Sequence, residues 1–163
     1  MEAGGRQDPR VTLEPLAAGH AAALRRIILT PDVARWWDPP EDDFPLHDDP
    51  DSVRFAIVAD GSVAGLIQFW EEDDPKYRHA GIDLFVDPAH RGRGVGPAAI
   101  RQVVALLRAR GHHRVVIDPA AANAAAIRAY EKAGFRPVGV MRAYERDADG
   151  AGWHDGLLME LLI

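Results

Sequence analysis

Residues 90–100 read HRGRGVGPAAI, three glycines alternating with arginine and valine. The run follows an alternating apolar stretch, AGIDLFVD at 80–87, and precedes an apolar helical pattern. Glycine frees the backbone to take conformations closed to other residues and leaves its peptide groups bare. A strand that ends in such a turn and passes straight into a helix requires a layered fold, with the helix laid back over the sheet. In the strand, Ile82, Leu84 and Val86 fall on one face and Asp83 and Phe85 on the other. In the helix, opened by Pro97 and running to about Arg110, Ile100, Val103, Val104 and Leu107 form one apolar stripe.

The remaining segments extend this plan. RVTLEPL (10–16) reads as a strand, AAGHAAALRRIIL (17–29) as a helix with Leu24, Ile27 and Ile28 inward, and TPDVARWW (30–37) as a short second helix. Residues 52–70 read as a hairpin around Asp60-Gly61. A short strand at 113–118, a helix at 121–134 capped by Gly134, and two antiparallel strands around an Asp-Gly-rich turn complete the chain. The order β α α β β β α β α β β predicts a single α/β domain over residues 10–163. Residues 1–9 are expected to be a disordered tail. Trp36 and Trp37 are neighbours, so on one helix they cannot both face inward; one is expected in the core.

Charge narrows the partners. Lys and Arg number 19 against 25 Asp and Glu, and 11 of those acids sit in two runs, residues 38–51 and EEDD at 71–74. Clustered carboxylates repel nucleic acid and favour a cationic partner, although a solvated acidic loop has the same composition. No segment has the roughly 18 apolar residues of a membrane span. The seven histidines show no metal-ligand spacing, so no metal is expected. The absence of cysteine removes disulfides and thiol nucleophiles, and a cytoplasmic protein fits this composition.

Bare amides at a helix start, with about half a positive charge from aligned peptides, suit an anion such as a phosphate. Arg91 and Arg93 add charge-assisted donors. Gly92, Gly94 and Gly96 are spaced G-x-G-x-G, which is not the dinucleotide fingerprint, and no Lys-Ser/Thr pair follows as in a nucleoside-triphosphate loop. The same six residues also suit a glycine-rich turn with no ligand.

RGRGVG after a strand resembles the acyl-CoA pyrophosphate loop of the GNAT N-acetyltransferase superfamily. NAAAIRAYEKAGF (123–135) is similar to that superfamily's second signature, in which an Asn contacts the CoA arm and a helical Tyr lies near its sulfur. RWWD, GID after an acidic run, and IDPAAANAAAIRAYEKAGF are similar to the aminoglycoside 6′-N-acetyltransferases. The resemblance spans about Arg10 to Ile163 and implies the GNAT fold, a central twisted, mostly antiparallel sheet flanked by helices.

It also implies acetyl-CoA as co-substrate, held by Phe85, Val86, Arg91, Gly92, Arg93, Gly94, Val95, Gly96, Asn123, Ala126 and Tyr130. Asp83 is implied as proton acceptor and Tyr130 as the residue facing the leaving thiolate. Trp36, Trp37, Asp38, Glu71, Glu72, Asp83 and Asp118 are implied around the acceptor. That acceptor is a polycationic amine, most concretely the 6′-amine of an aminoglycoside antibiotic, which would make the chain a resistance enzyme. The acidic insert before GID and the C-terminal WHDGLLMELLI depart from the aminoglycoside enzymes, so another amine remains open: a polyamine, a small metabolite, a protein N-terminus or a lysine. A non-catalytic protein that binds acyl-CoA or cations is the remaining alternative. Residue by residue, Asp83 also suits a satisfied strand aspartate, Asp118 a turn before Pro119, and Tyr130 a packed aromatic. A monomer, or a weak dimer through an exposed final strand, is expected.

Overall fold

The computed structural model describes residues 8–163; residues 1–7, most of the expected tail, lie outside the described residues. Among the described residues seven strands form one sheet: β1 (Val11–Pro15), β2 (Val53–Ala59), β3 (Ser62–Glu72), β4 (His79–Val86), β5 (Arg114–Ile117), β6 (Arg136–Arg146) and β7 (Trp153–Leu162). Helices α1 (Ala21–Ile28) and α2 (Pro31–Ala34) lie between β1 and β2, α3 (Val95–Ala109) between β4 and β5, and α4 (Ala124–Lys132) between β5 and β6. The spatial order is β1-β2-β3-β4-β5-β7-β6, antiparallel throughout except for β4 beside β5.

Side-chain alternation divides the core into two layers. Ile57, Ile67, Phe69, Ile82, Val115, Ile117 and Met159 point to one face and pack with Ile100, Val103, Val104 and Leu107 of α3. Ala56, Leu66 and Phe85 point to the other, where Leu24, Ile27 and Ile28 of α1 and Val33 of α2 cover them. Truncating fully buried Leu24 to alanine would cost about 2–5 kcal/mol in lost transfer energy and cavity formation. The Asp60-Gly61 turn forms as expected, with both φ angles positive, at 50° and 82°, as a two-residue hairpin loop requires.

Four expectations about the elements need correction. β3 extends to Glu72, so Glu71 and Glu72 pair with Ala80 and His79 in the ladder and do not form a loop. α2 ends at Ala34, so Trp36 and Trp37 are released from helical spacing. α3 starts at Val95, two residues before Pro97, because amides in a first helical turn have no intrahelical partner to lose. The final strand β7 is interior, between β5 and β6, and β6 is the edge.

The one parallel pairing positions the site. β4 and β5 share only Ala80–Val115 and Gly81–Val116. Beyond that point the chain leaves β5 through Asp118 and Pro119, a residue with no N–H to give a ladder. The strands therefore separate, and Asp83 to Val86 line an open gap in the middle of the sheet.

Candidate active site

A cavity of about 1310 Å³ occupies the gap and opens toward both the α3 start and the acidic loop. Trp36, Trp37, Asp38, Asp83, Phe85, Val86, Arg91, Gly92, Gly94, Val95, Gly96, Asp118, Asn123, Ala126 and Tyr130 all line it. Three expected residues do not. Arg93 turns outward and pairs with Asp60 at 3.1 Å. Glu71 takes both Nε and Nη2 of Arg110, at 2.8 and 2.6 Å, and Nε2 of buried His112 at 2.7 Å. The Arg110 hydrogen bonds, with help from His112 and against the effect of burial, hold its carboxyl down at about 2. Glu71 thus clamps the end of β3 to the α3–β5 connection, and neighbouring Glu72 is likewise absent from the cavity wall.

At one end the glycine turn forms an anion cradle. Gly92 and Gly94 take φ of 71° and 78°, and Gly94 caps α3. Among the described residues, no side-chain acceptor takes the amides of residues 92–96 and no backbone acceptor takes one in good hydrogen-bond geometry, while the Ala98 amide already donates to the Gly94 carbonyl. A Cβ on Gly92 or Gly94 would meet nothing within 4 Å, so the turn's outer surface is open. Arg91 stands beside it, its Nε donating to the Val86 carbonyl at 3.3 Å and its Nη1 lying 3.5 Å from the Asp32 carboxylate. These features fit a diphosphate: free N–H groups, a helix start and a guanidinium whose surface ion pair is worth little.

Tyr130 is fixed by how α4 ends. The Gly134 amide donates to the Glu131 carbonyl and the Phe135 amide to the Tyr130 carbonyl, a Schellman closure that needs the left-handed φ of 100° at Gly134. Phe135, fully buried, then packs edge-on to the Tyr130 ring with centroids 6.3 Å apart. At the start of the same helix the Asn123 side chain accepts from the Ala126 amide at 3.2 Å, so part of its hydrogen-bonding capacity serves as a cap.

At the other end carboxylates gather. Burial, reinforced by repulsion from Asp118 and Glu145 and offset by the nearby Gln68 amide, its partner across the β3–β4 ladder, pushes Asp83 up to about 6. Asp118 accepts a hydrogen bond from the Tyr144 hydroxyl at 2.6 Å. That bond first, and burial second, raise the Tyr144 phenol to about 12. Burial also raises Glu145. Tyr130 is pushed above the ordinary tyrosine range by burial and by the charges of Asp83 and Asp118, so it stays a protonated donor. Trp37 meets Phe85 edge-on at 5.1 Å and belongs to the α1 core, while Trp36 stacks under Arg35 at 4.6 Å. Both still reach the cavity wall, because the turn after α2 spreads them.

Gln68, Tyr144 and Glu145 were not anticipated. Gln68 interrupts an otherwise apolar strand, GLIQFW, which is a usable signal. Tyr144 and Glu145 reach the cavity only because β6 is bulged between Met141 and Glu145, which no spacing announces. Among the described residues, no three His, Asp or Glu side chains converge as metal ligands.

A profile of the Acetyltransferase (GNAT) family matches residues 21–135, well over half of the chain. The chain belongs to this family. The aminoglycoside N(6′)-acetyltransferase type 1 of Klebsiella pneumoniae is 37% identical over 99 residues, 59% of this chain and 47% of that protein. The streptothricin acetyltransferase of Streptomyces lavendulae is 32% identical over 112 residues, 66% and 57% of the two chains. Human N-acetyltransferase 8B is 32% identical over 91 residues, 54% of this chain and 40% of its own length. The GNAT chain therefore spans only about half the length of these curated relatives.

Solved structures extend the likeness of fold to nearly the whole GNAT chain. The RimL ribosomal L7/L12 alpha-N-protein acetyltransferase in complex with coenzyme A superposes with a TM-score of 0.78 at 20% identity, covering 94% of each chain. Aminoglycoside acetyltransferase AAC(6′)-Ib with coenzyme A and kanamycin gives 0.75 at 23% identity, covering 94% of this chain and 95% of that one. Spermidine N-acetyltransferase from Vibrio cholerae with CoA and spermine gives 0.76 at 20%, covering 93% and 95%.

Proposed function

We propose that this N-acetyltransferase modifies a primary amine on a small polycationic molecule, with the 6′-amine of an aminoglycoside as the leading acceptor. The observation that carries this reading is the convergence of Asp38, Asp83, Asp118 and Glu145 on the cavity end opposite the glycine turn. An acceptor with several ammonium groups gains affinity and a faster encounter from such a field, and loses both as salt screens it. Relatives named for aminoglycosides and streptothricin, and neighbours with kanamycin and spermine bound, support a cationic acceptor.

The acetyl group is supplied by the thioester of acetyl-CoA. In this reading the amides of residues 92–96 and Arg91 hold its diphosphate, and the gap between β4 and β5 orients its arm between Phe85 or Val86 and α4. Asp83 takes a proton from the incoming ammonium, directly or through one water. A carboxyl near 6 is a better base for this than an ordinary aspartate, and it is still ionised at neutral pH. Asp118 holds the ammonium in place. Tyr130 gives its hydroxyl hydrogen to the departing sulfur, a role that its raised pKa protects from ionisation.

The test mixes acetyl-CoA with kanamycin, tobramycin, spermidine, spermine and peptides bearing free N-termini while thiol release is followed. Turnover with an aminoglycoside, slowed by added salt, is the expected result. Release with the peptides alone would overturn the polycation reading.

A further inference from the structure

Behind the acceptor end lies a second cavity of about 220 Å³, on the same face of the sheet. Trp70, His79, Gly81, Arg114 and Leu158 are among the residues around it. Its floor is aromatic: the Trp70 indole lies so close over Gly81 that a Cβ there would strike the ring. The two cavities share only Asp118 and Tyr144 among their lining residues. The hydrogen-bonded pair that holds Asp118 is therefore also the partition between them.

Tyr144 is placed there by a local device. The β6–β7 register slips between Met141 and Glu145. Within the slip Ala143 takes φ of 47°, a left-handed conformation that is strained for a residue with a Cβ. The Asp155 carboxylate stabilises it, accepting from the Ala143 amide at 2.8 Å. Gly156 leaves room for the ring, since a Cβ there would stand 2.8 Å from Tyr144 Cδ1. A strained backbone, a dedicated acceptor and a required glycine thus all aim one phenol at Asp118, which is how bulges re-aim side chains beside sites.

We propose that Tyr144 is a specificity-determining wall, which orients Asp118 toward the acceptor's amine and bars acceptors whose chains would run on into the Trp70 pocket. The ligand class kept out is an alkylammonium chain. Its methylenes would lie along the indole, and its distal charge would be drawn to the ring face. The inference rests on the amine-acceptor reading above.

The test compares wild type, Tyr144→Phe and Tyr144→Ala on kanamycin, spermidine and spermine. Tyr144→Phe keeps the wall and loses the hydrogen bond. It should raise KM about tenfold for each accepted amine, more than it lowers kcat, and leave the ranking of amines unchanged. Tyr144→Ala should move kcat/KM toward spermine over spermidine by about tenfold. Gly156→Ala, which displaces the same ring, should give that second ranking if Tyr144→Ala does not fold. An unchanged ranking in the wall-removing variant overturns the proposal. If wild type turns over none of these amines, the acceptor reading falls and the wall is judged without an acceptor. Asp118→Asn should then bring one tyrosine's alkaline absorbance titration down from about 12, and an unmoved titration removes the partition.

Discussion

Asp83→Asn should make the protein more stable and nearly inactive, and the gain should depend on pH in a defined way. Asp83 is raised from 3.8 to about 6, chiefly by burial. At about 1.4 kcal/mol for each pH unit, keeping this carboxyl ionised inside the fold costs about 3 kcal/mol. Because the folded value lies above the unfolded one, the cost is absent below pH 3.8, grows as pH rises, and is complete above about 6. Asparagine has nothing to ionise, so the difference between variant and wild type should widen by about 2.4 kcal/mol from pH 4 to 7.5 and then stay level. For a domain with about 5–15 kcal/mol of total stability this is a large fraction. Urea unfolding at several pH values, with equal m-values in both proteins, measures it. A difference that stays constant from pH 4 to 7.5, or that favours wild type as pH rises, would refute the claim that Asp83 is a destabilised, functionally held carboxylate. A small constant offset from the amide's own local contacts would not.

The same carboxyl sets a kinetic expectation: kcat/KM should fall on the acid side with an apparent value near 6, read from a pH profile with a fixed acceptor. Tyr130→Phe should lower kcat about a hundredfold or more while the KM for acetyl-CoA moves little, as steady-state kinetics at saturating acceptor would show. Gly94→Ala puts a Cβ on a residue with φ of 78°, so calorimetry should find weaker coenzyme A binding, and thermal unfolding a loss of about 1–2 kcal/mol.

The clamp of Glu71 on Arg110 and His112 would support the proposed chemistry from a distance. It ties the end of β3 to the loop before β5, next to the two residue pairs where β4 and β5 still meet. The gap therefore opens from a fixed hinge line. The acids around β3 and β4 divide accordingly: Glu71 of the 71–74 run is committed to the fold, whereas Asp83, on the next strand, faces the cavity.

Much of the design could be read along the chain because it depends on near neighbours. The alternation of Ile82, Asp83, Leu84 and Phe85, the stripe Ile100-Val103-Val104-Leu107, the Asp60-Gly61 turn and the Gly134 cap are each set by local backbone geometry and by periods of two or 3.6 residues. So is the glycine cradle, whose residues are contiguous. The aim of Glu71, the outward swing of Arg93 and the entry of Tyr144, Glu145 and Gln68 were decided only by tertiary structure. Glu71 meets Arg110 from 39 residues away, and Tyr144 meets Asp118 from 26. Sheet register and a bulge, neither encoded by a short-range period, decide which carboxylates face the gap and which are neutralised. The order β4-β5-β7-β6, which makes β6 the edge and brings its bulge against Asp118, likewise follows from how the layers pack and not from the order of the segments.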